Sequence, residues 1–215
     1  MSGLVPLEVK VWGSLACFTR PEMKVERVSY PVMTPSAARG VLEAIFWKPE
    51  FTWDVREIHV LREIRYHSFV RNEVSTRQAV STARGWVTSG GGYNVTEDRT
   101  QRHTLALRDV SYLIRAGMRL RDGLTDDIAK YRDQFRRRVE RGQYYSPPYL
   151  GCREFTAFFS APDGSERAIP LSDGLGNMLL EIEYDGREGG GQPRFFDARL
   201  VNGVLHVPPA MNGGV

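Results

Sequence analysis

A chain of 215 residues with 29 Lys and Arg against 26 Asp and Glu can bury a real hydrophobic core, as one large domain or two small ones. Its 41% hydrophobic content argues against disorder, and no apolar run reaches the roughly 18 residues that a membrane helix needs. Two cysteines, Cys17 and Cys152, rule out a disulfide scaffold and lack the CxxC spacing of a zinc site.

The opening stretch MSGLVPLEVKVWG carries a proline and two charges where a signal peptide would be apolar, so a cytoplasmic protein is expected. Only four of the basic residues are lysine: Lys10, Lys24, Lys48 and Lys130. Guanidinium forks grip phosphate and stack on bases, which suits RNA, but GC-rich coding gives the same bias. A net charge of +3 by itself selects no partner.

Leu7 to Phe18 predicts an opening strand, with Leu7, Val9 and Val11 alternating and Gly13 permitting a bulge or a close backbone approach. Thr19 to Tyr30 is a charged connection bearing Arg20, Lys24 and Arg27, either a solvated loop or a phosphate-contacting surface. A helix starts at Thr34, which can cap it, with Pro35 at the first position and Ala38, Val41, Leu42 and Ile45 as the buried stripe. It stops near Trp47-Lys48-Pro49, with Phe46 at the edge of the stripe. Phe51 to Val70 alternates around Val55, Ile58, Val60 and Ile64 and predicts strands.

Thr76 to Gln101, centred on Gly90-Gly91-Gly92, is expected to be a loop. It lacks the strand-loop-helix setting of a P-loop, which excludes a nucleoside triphosphatase. Thr104 to Leu120 predicts one or two further strands. Thr125 to Gly142 predicts a second helix, with Thr125 as cap, Asp126 and Asp127 in the first turn and Gly142 as its end. Ile128, Tyr131, Phe135 and Val139 form its apolar stripe, and Lys130, Gln134, Arg137, Arg138 and Arg141 a basic face. An aromatic loop, Gln143 to Phe155, follows. A cationic helix face and an aromatic loop together can hold a polyanion. Beyond Phe155 come strand segments FTAFF and MLLEIEY, a turn at Gly189-Gly190-Gly191, and a hairpin at Asn202-Gly203; Pro208 to Val215 is expected to fray.

Catalytic motifs are few. The four histidines are scattered without ligand spacing, so no metal or other cofactor is expected. No G-x-S-x-G elbow is present, and Cys152 is expected to be a small buried residue. Metal-free RNA cleavage needs no such motif. The 2′-hydroxyl is an internal nucleophile, and the protein has only to align it and supply a base, an acid and a cation.

The ordered set RVSYPVMTPSAARGVLEAIFWKP, HVLREI, RNEVS, KYRDQFRRRVERGQ and PYLGCREF closely resembles the subtype I-C (Dvulg) branch of the fifth Cas family of CRISPR-associated RAMP proteins. The resemblance implies an α+β fold: a ferredoxin-like, RNA-recognition-motif-like RAMP domain with insertions, plus a C-terminal antiparallel β-sheet extension. Residues 1–124, with a Gly-rich loop near 84–101, would form the first part, and residues 125–215, the basic helix and the extension, the second. It further implies a metal-independent endoribonuclease that cuts CRISPR precursor RNA within its repeat. Such a protein then stays on the 5′ handle of the guide as a subunit of type I-C Cascade, beside the seventh and eighth Cas family subunits. The alternative is a handle-binding subunit without catalysis. Carried over by motif, the family's catalytic tyrosine falls on Phe46, its lysine on Lys130 and its histidine on Tyr131. Lys130 is expected to stabilise transition-state charge and Tyr131 to handle a proton. Arg20, Lys24, Arg27, Arg39, Arg137 and Arg138 are expected on the RNA backbone, with Trp47 as a stacking platform.

Overall fold

The computed structural model describes residues 5–76, 78–125, 127–183 and 191–209. Its centre is a 22-residue strand, β5 (Arg99–Leu120), on which β1 (Leu7–Ala16) and β3 (Phe51–Val60) pair antiparallel from either side. The helix α1 (Pro35–Ile45) joins β1 to β3, which leaves β5 between the two strands it connects. Likewise α3 (Ile128–Glu140) joins β5 to the short β6 (Phe158–Ser160), with β1 between. On the far side of β3 the sheet continues through β9 (Val204–His206), β8 (Gln192–Val201) and β7 (Asp173–Glu183). The first half of β5 also carries β4 (Tyr66–Val74) antiparallel and the two-residue β2 (Arg27–Val28) parallel. The fold is thus a mixed α/β assembly, with few helices on a largely antiparallel sheet.

Period-two alternation decides which side of the sheet is dry. Leu7, Val9 and Val11 of β1, Ile58 of β3 and Ile114 of β5 are buried under α1 and α3, while Glu8 and Lys10 face the other way and form ion pairs with Arg115 and Glu166. The α1 stripe of Ala38, Val41, Leu42 and Ile45 is fully buried, and Thr34 caps the helix by accepting the Ala37 N–H. Gly13 is needed where β1 meets the loop after α3. A Cβ there would lie 2.5 Å from Leu150 Cδ1 and 2.8 Å from the Thr156 carbonyl. The predicted hairpin joins β8 to β9, with Asn202 at φ 48° and Gly203 at φ 76°.

Several expectations change. Thr76 to Gln101 is not all loop: α2 (Val80–Ser89) occupies part of it, and Gly90 follows the helix end. None of its residues is buried, so the apolar spacing that marks a packed helix is weak. The Thr104–Leu120 segment is the greater part of one strand that begins at Arg99. The cap of α3 is Asp127, whose carboxylate accepts the Ala129 N–H at 2.9 Å, and not Thr125; Asp126 lies outside the described residues. In FTAFF only the end is strand, and MLLEIEY is preceded by five further strand residues from Asp173. Tyr184, Gly189 and Gly190, and the end of the chain from Ala210, lie outside the described residues. Among the described residues no helix is long and apolar enough to cross a membrane.

Candidate functional site

The last carbonyls of a helix have no partner within it, and α1 ends among groups that supply one. Ala44 accepts the backbone N–H groups of Tyr145 and Ser146, at 2.8 and 3.0 Å. Ile45 accepts Arg138 Nη1 at 3.0 Å, and Phe46 accepts Trp53 Nε1 at 3.0 Å. Three consecutive carbonyls thereby tie α1 to α3, to β3 and to the loop after α3.

An aromatic layer fills the space below them. Phe46 meets Phe51 at 5.4 Å between ring centroids, and Phe51 meets Tyr131 at 5.4 Å and Trp53 at 5.7 Å. Trp53 stands edge-on to Phe135 at 4.8 Å. The Arg138 guanidinium lies 5.4 Å from the Phe46 ring and the Lys130 ammonium 4.7 Å from the Tyr131 ring. Phe46 and Tyr131 are 1% and 4% exposed, so both rings are core. Phe46 is therefore fully inside, and not at the edge of the stripe. Trp47, one residue on, is 44% exposed and tilts against Tyr145 at 6.3 Å.

Of the sequence-predicted residues, Phe46, Trp47 and Arg138 thus meet at the end of α1, and Phe51 links Phe46 to Tyr131, on whose ring Lys130 rests. Exposed Lys48, Arg137 and Arg141 lie in the same segments as the exposed Trp47, Tyr144 and Tyr145. Cations beside solvent-facing rings can hold a phosphate backbone and stack its bases. Arg138 differs from the expected solvent-facing arginine, since its side chain turns inward to cap α1 and cover Phe46.

The other predicted contacts lie apart from this cluster. Arg20 covers the Tyr30 ring at 4.5 Å and pairs with Glu22 at 3.8 Å. Lys24 is exposed just after the 3₁₀ turn Pro21–Met23. Arg27 is held by Glu154 at 2.6 Å and Glu73 at 3.4 Å, and Arg39 by Glu181 at 2.9 Å. Arg27 and Arg39 are committed to ion pairs that fasten β2 to the later loop and α1 to β7.

Sequence reasoning missed Tyr145, Ser146, Phe51 and Trp53 as supports of the site. It also missed Arg132, 5% exposed, whose guanidinium donates to the Val5 carbonyl. Burial holds the Arg132 side chain below the usual arginine range, with Arg136 and Arg56 adding like charge. Only Trp53 gave a signal, since a buried indole N–H needs an acceptor. Cys152 is half-buried rather than buried, and its sulfur lies 3.5 Å from Arg27 Nη1. Among the described residues no three His, Cys, Asp or Glu side chains are grouped to hold a metal ion.

Residues 6–208 match the family described as Cas_Cas5d, CRISPR-associated protein (Cas_Cas5). A protein of Thermus thermophilus named CRISPR pre-crRNA endoribonuclease Cas5d is 48% identical over 218 residues, covering 94% of this chain and 91% of the relative. One of the same name from Mannheimia succiniciproducens is 43% identical over 217 residues, covering 94% and 95%. A solved crystal structure of a CRISPR-associated protein shares the fold with a TM-score of 0.67 at 23% identity, covering 95% of this chain and 94% of that one. With the family matched across nearly the whole length and both relatives aligned over more than nine-tenths of each chain, the chain belongs to the Cas5d family of CRISPR-associated proteins.

Proposed function

We propose that this protein is a metal-independent endoribonuclease that cleaves CRISPR precursor RNA within its repeat. It then remains on the 5′ handle as a subunit of type I-C Cascade in the cytoplasm, next to the seventh and eighth Cas family subunits. The observation that carries the reading is one aromatic layer, Phe46–Phe51–Tyr131, that bears Lys130 on the Tyr131 ring and lies beside the exposed Trp47–Tyr145 pair at the end of α1, in a chain whose relatives are named pre-crRNA endoribonucleases. The order β6-β1-β5-β3 with α1 and α3 as crossovers is that of a split βαβ, which supports an RNA-recognition-motif-like first part. In that reading β9, β8 and β7 are the C-terminal extension, and the division falls after β6, before β7 begins at Asp173.

In the proposed reaction the 2′-oxygen attacks the adjacent phosphorus as the 5′-oxygen leaves, giving a 2′,3′-cyclic phosphate and a 5′-hydroxyl. The Lys130 ammonium opposes the charge that accumulates on the phosphorane, while Trp47 and Tyr145 hold flanking bases and Arg137 and Lys48 the backbone. Tyr131 is the proton-handling candidate at the family histidine position. The test is cognate repeat RNA incubated with protein in EDTA. One cut is expected, and a 2′-deoxy nucleotide at the cut site should abolish it. Cleavage that needs magnesium, or that tolerates the deoxy substitution, would refute the mechanism.

A second reading rests on one observation: Phe46 has no hydroxyl and is 1% exposed, so that position cannot move a proton. The protein would then bind the handle without cutting. Tight, salt-sensitive repeat binding with no product would favour it.

A further inference from the structure

Cys17 and Cys152 are 135 residues apart in sequence, yet their side chains share one small polar pocket. Cys17 lies just past the end of β1 and is completely buried. Cys152 sits in the loop that returns to that strand end, where the Cys17 N–H donates to the Leu150 carbonyl at 3.0 Å. The Thr19 hydroxyl stands 3.5 Å from the Cys17 sulfur and 3.9 Å from the Cys152 sulfur. The Cys152 sulfur lies 3.6 Å from the carbonyl oxygen of Cys17 itself. Gly151, at φ 84°, packs so closely that a Cβ would overlap the Cys17 carbonyl. The two thiols are therefore held together by the fold.

Arg27 makes the pair asymmetric. Its Nη1 donates to the Cys152 sulfur at 3.5 Å as well as to Glu154. A thiolate beside a guanidinium is stabilised, and a partly exposed one can be reached from solvent. Its interaction with Cys17, against the opposing effect of burial, lowers the Cys152 thiol to about 6, with Thr19 and Arg27 adding to the fall. The same interaction, together with burial, pushes the Cys17 thiol up.

We propose that Cys152 is an oxidation site for hydroperoxides and that Cys17 resolves it into an intramolecular disulfide. In the first step the Cys152 thiolate attacks the distal oxygen of the hydroperoxide. The O–O bond breaks, the sulfur is oxidised by two electrons to the sulfenic acid, and the departing alkoxide takes a proton to leave as an alcohol, or as water from hydrogen peroxide. In the second step the Cys17 sulfur attacks the sulfenic sulfur. The expelled hydroxide takes the Cys17 proton and leaves as water, so two thiols and one hydroperoxide give one disulfide, one alcohol and one water. Oxidation removes the anion whose charge helped hold the Cys17 proton, which favours this second step. The bond draws the two sulfurs to about 2.05 Å and fastens the end of β1 to the loop whose other end, Tyr145 and Ser146, caps α1. The inference is independent of the RNA reading, because it rests on the thiol pocket alone.

The test treats the full chain with hydrogen peroxide and measures intact mass without reductant. A monomer lighter by about 2 Da, restored by dithiothreitol, with Cys17 and Cys152 in one cross-linked peptide, is expected. The variant Cys17→Ser should instead yield a dimedone adduct at residue 152, and Cys152→Ser should give neither product. If a variant does not fold by circular dichroism, peptide mapping of the oxidised wild type carries the decision. Stable oxygen uptake without a bridge, bridges between copies, or an unchanged mass would overturn the proposal.

Discussion

Replacing Arg138 by methionine separates a structural arginine from an RNA-contacting one. In the structure Arg138 Nη1 donates to the Ile45 carbonyl at 3.0 Å, and its guanidinium covers the Phe46 ring at 5.4 Å. A hydrogen bond from a charged donor contributes about 1.5–3 kcal/mol, and a cation–π contact about 0.5–2 kcal/mol. Arg138 is only half-buried, which keeps the sum toward the lower end, and methionine restores part of the cover over Phe46. The expected loss is therefore about 2–3 kcal/mol, or roughly 2–4 °C of Tm per kcal/mol for a chain of this size. The neighbouring Arg137 is exposed, so Arg137→Met should stay within about 0.5 kcal/mol of wild type in urea denaturation. On RNA the order reverses. Arg137→Met should reduce the salt slope of repeat binding by about 0.7, the loss of one phosphate contact, in a filter-binding series. Equal stability of the two variants would refute the capping role of Arg138, and an unchanged salt slope for Arg137→Met would remove it from the RNA surface.

Lys130→Ala should lower single-turnover cleavage of repeat RNA in EDTA by about 100-fold or more while binding weakens only a few-fold; an equal loss in both would mean that it only binds. Phe46→Tyr places a hydroxyl in a core position and should cost about 1–3 kcal/mol without raising the cleavage rate, as chemical denaturation and gel assays would report. Gly40→Ala, on the exposed face of α1 with nothing near its Cβ, should stabilise by about 0.8–1 kcal/mol, whereas Gly151→Ala should destabilise or prevent folding. Iodoacetamide should label Cys152 ahead of Cys17, with a rate that rises as pH increases through about 6; a midpoint near that of a free thiol would refute the stabilisation of the Cys152 thiolate by Cys17, Thr19 and Arg27.

What could be read before the structure was mostly local. Thr34 and Pro35 start α1 and its stripe is buried, because cap, proline and spacing all act within one turn or two. Asn202-Gly203 was readable because a tight hairpin needs positive φ at both positions. α2 was not, although Val80, Ala83 and Val87 have helical spacing, because the helix packs nothing away and Gly85 together with the Ser and Thr residues near both helix ends weakens the pattern. Thr125 and Asp127 are both good caps, and only the backbone decides which oxygen reaches an N–H. The inward turn of Arg138 was equally hidden. Helical period sets a direction, but the acceptor comes from a residue 93 positions earlier in sequence. The proximity of Cys17 and Cys152 depends on how the loop after α3 meets β1, which no spacing reveals.

The placement of Lys130 gives the site its electrostatic sense. It is the third residue of α3, where the positive end of the helix dipole disfavours a cation by about 0.3–1 kcal/mol. Asp127 at the cap offsets part of that cost, and the ammonium rests near the Tyr131 ring. A phosphate drawn to this point would meet both the ammonium and the positive end of the helix, so the lysine and the dipole would then act on the anion together. The Tyr131 ring beneath the ammonium is buried and packs on Phe51. In the proposed mechanism charge stabilisation is the part of the chemistry that Lys130 would supply, and alignment by Trp47, Tyr145 and the exposed arginines would supply the geometry in which a 2′-hydroxyl can react.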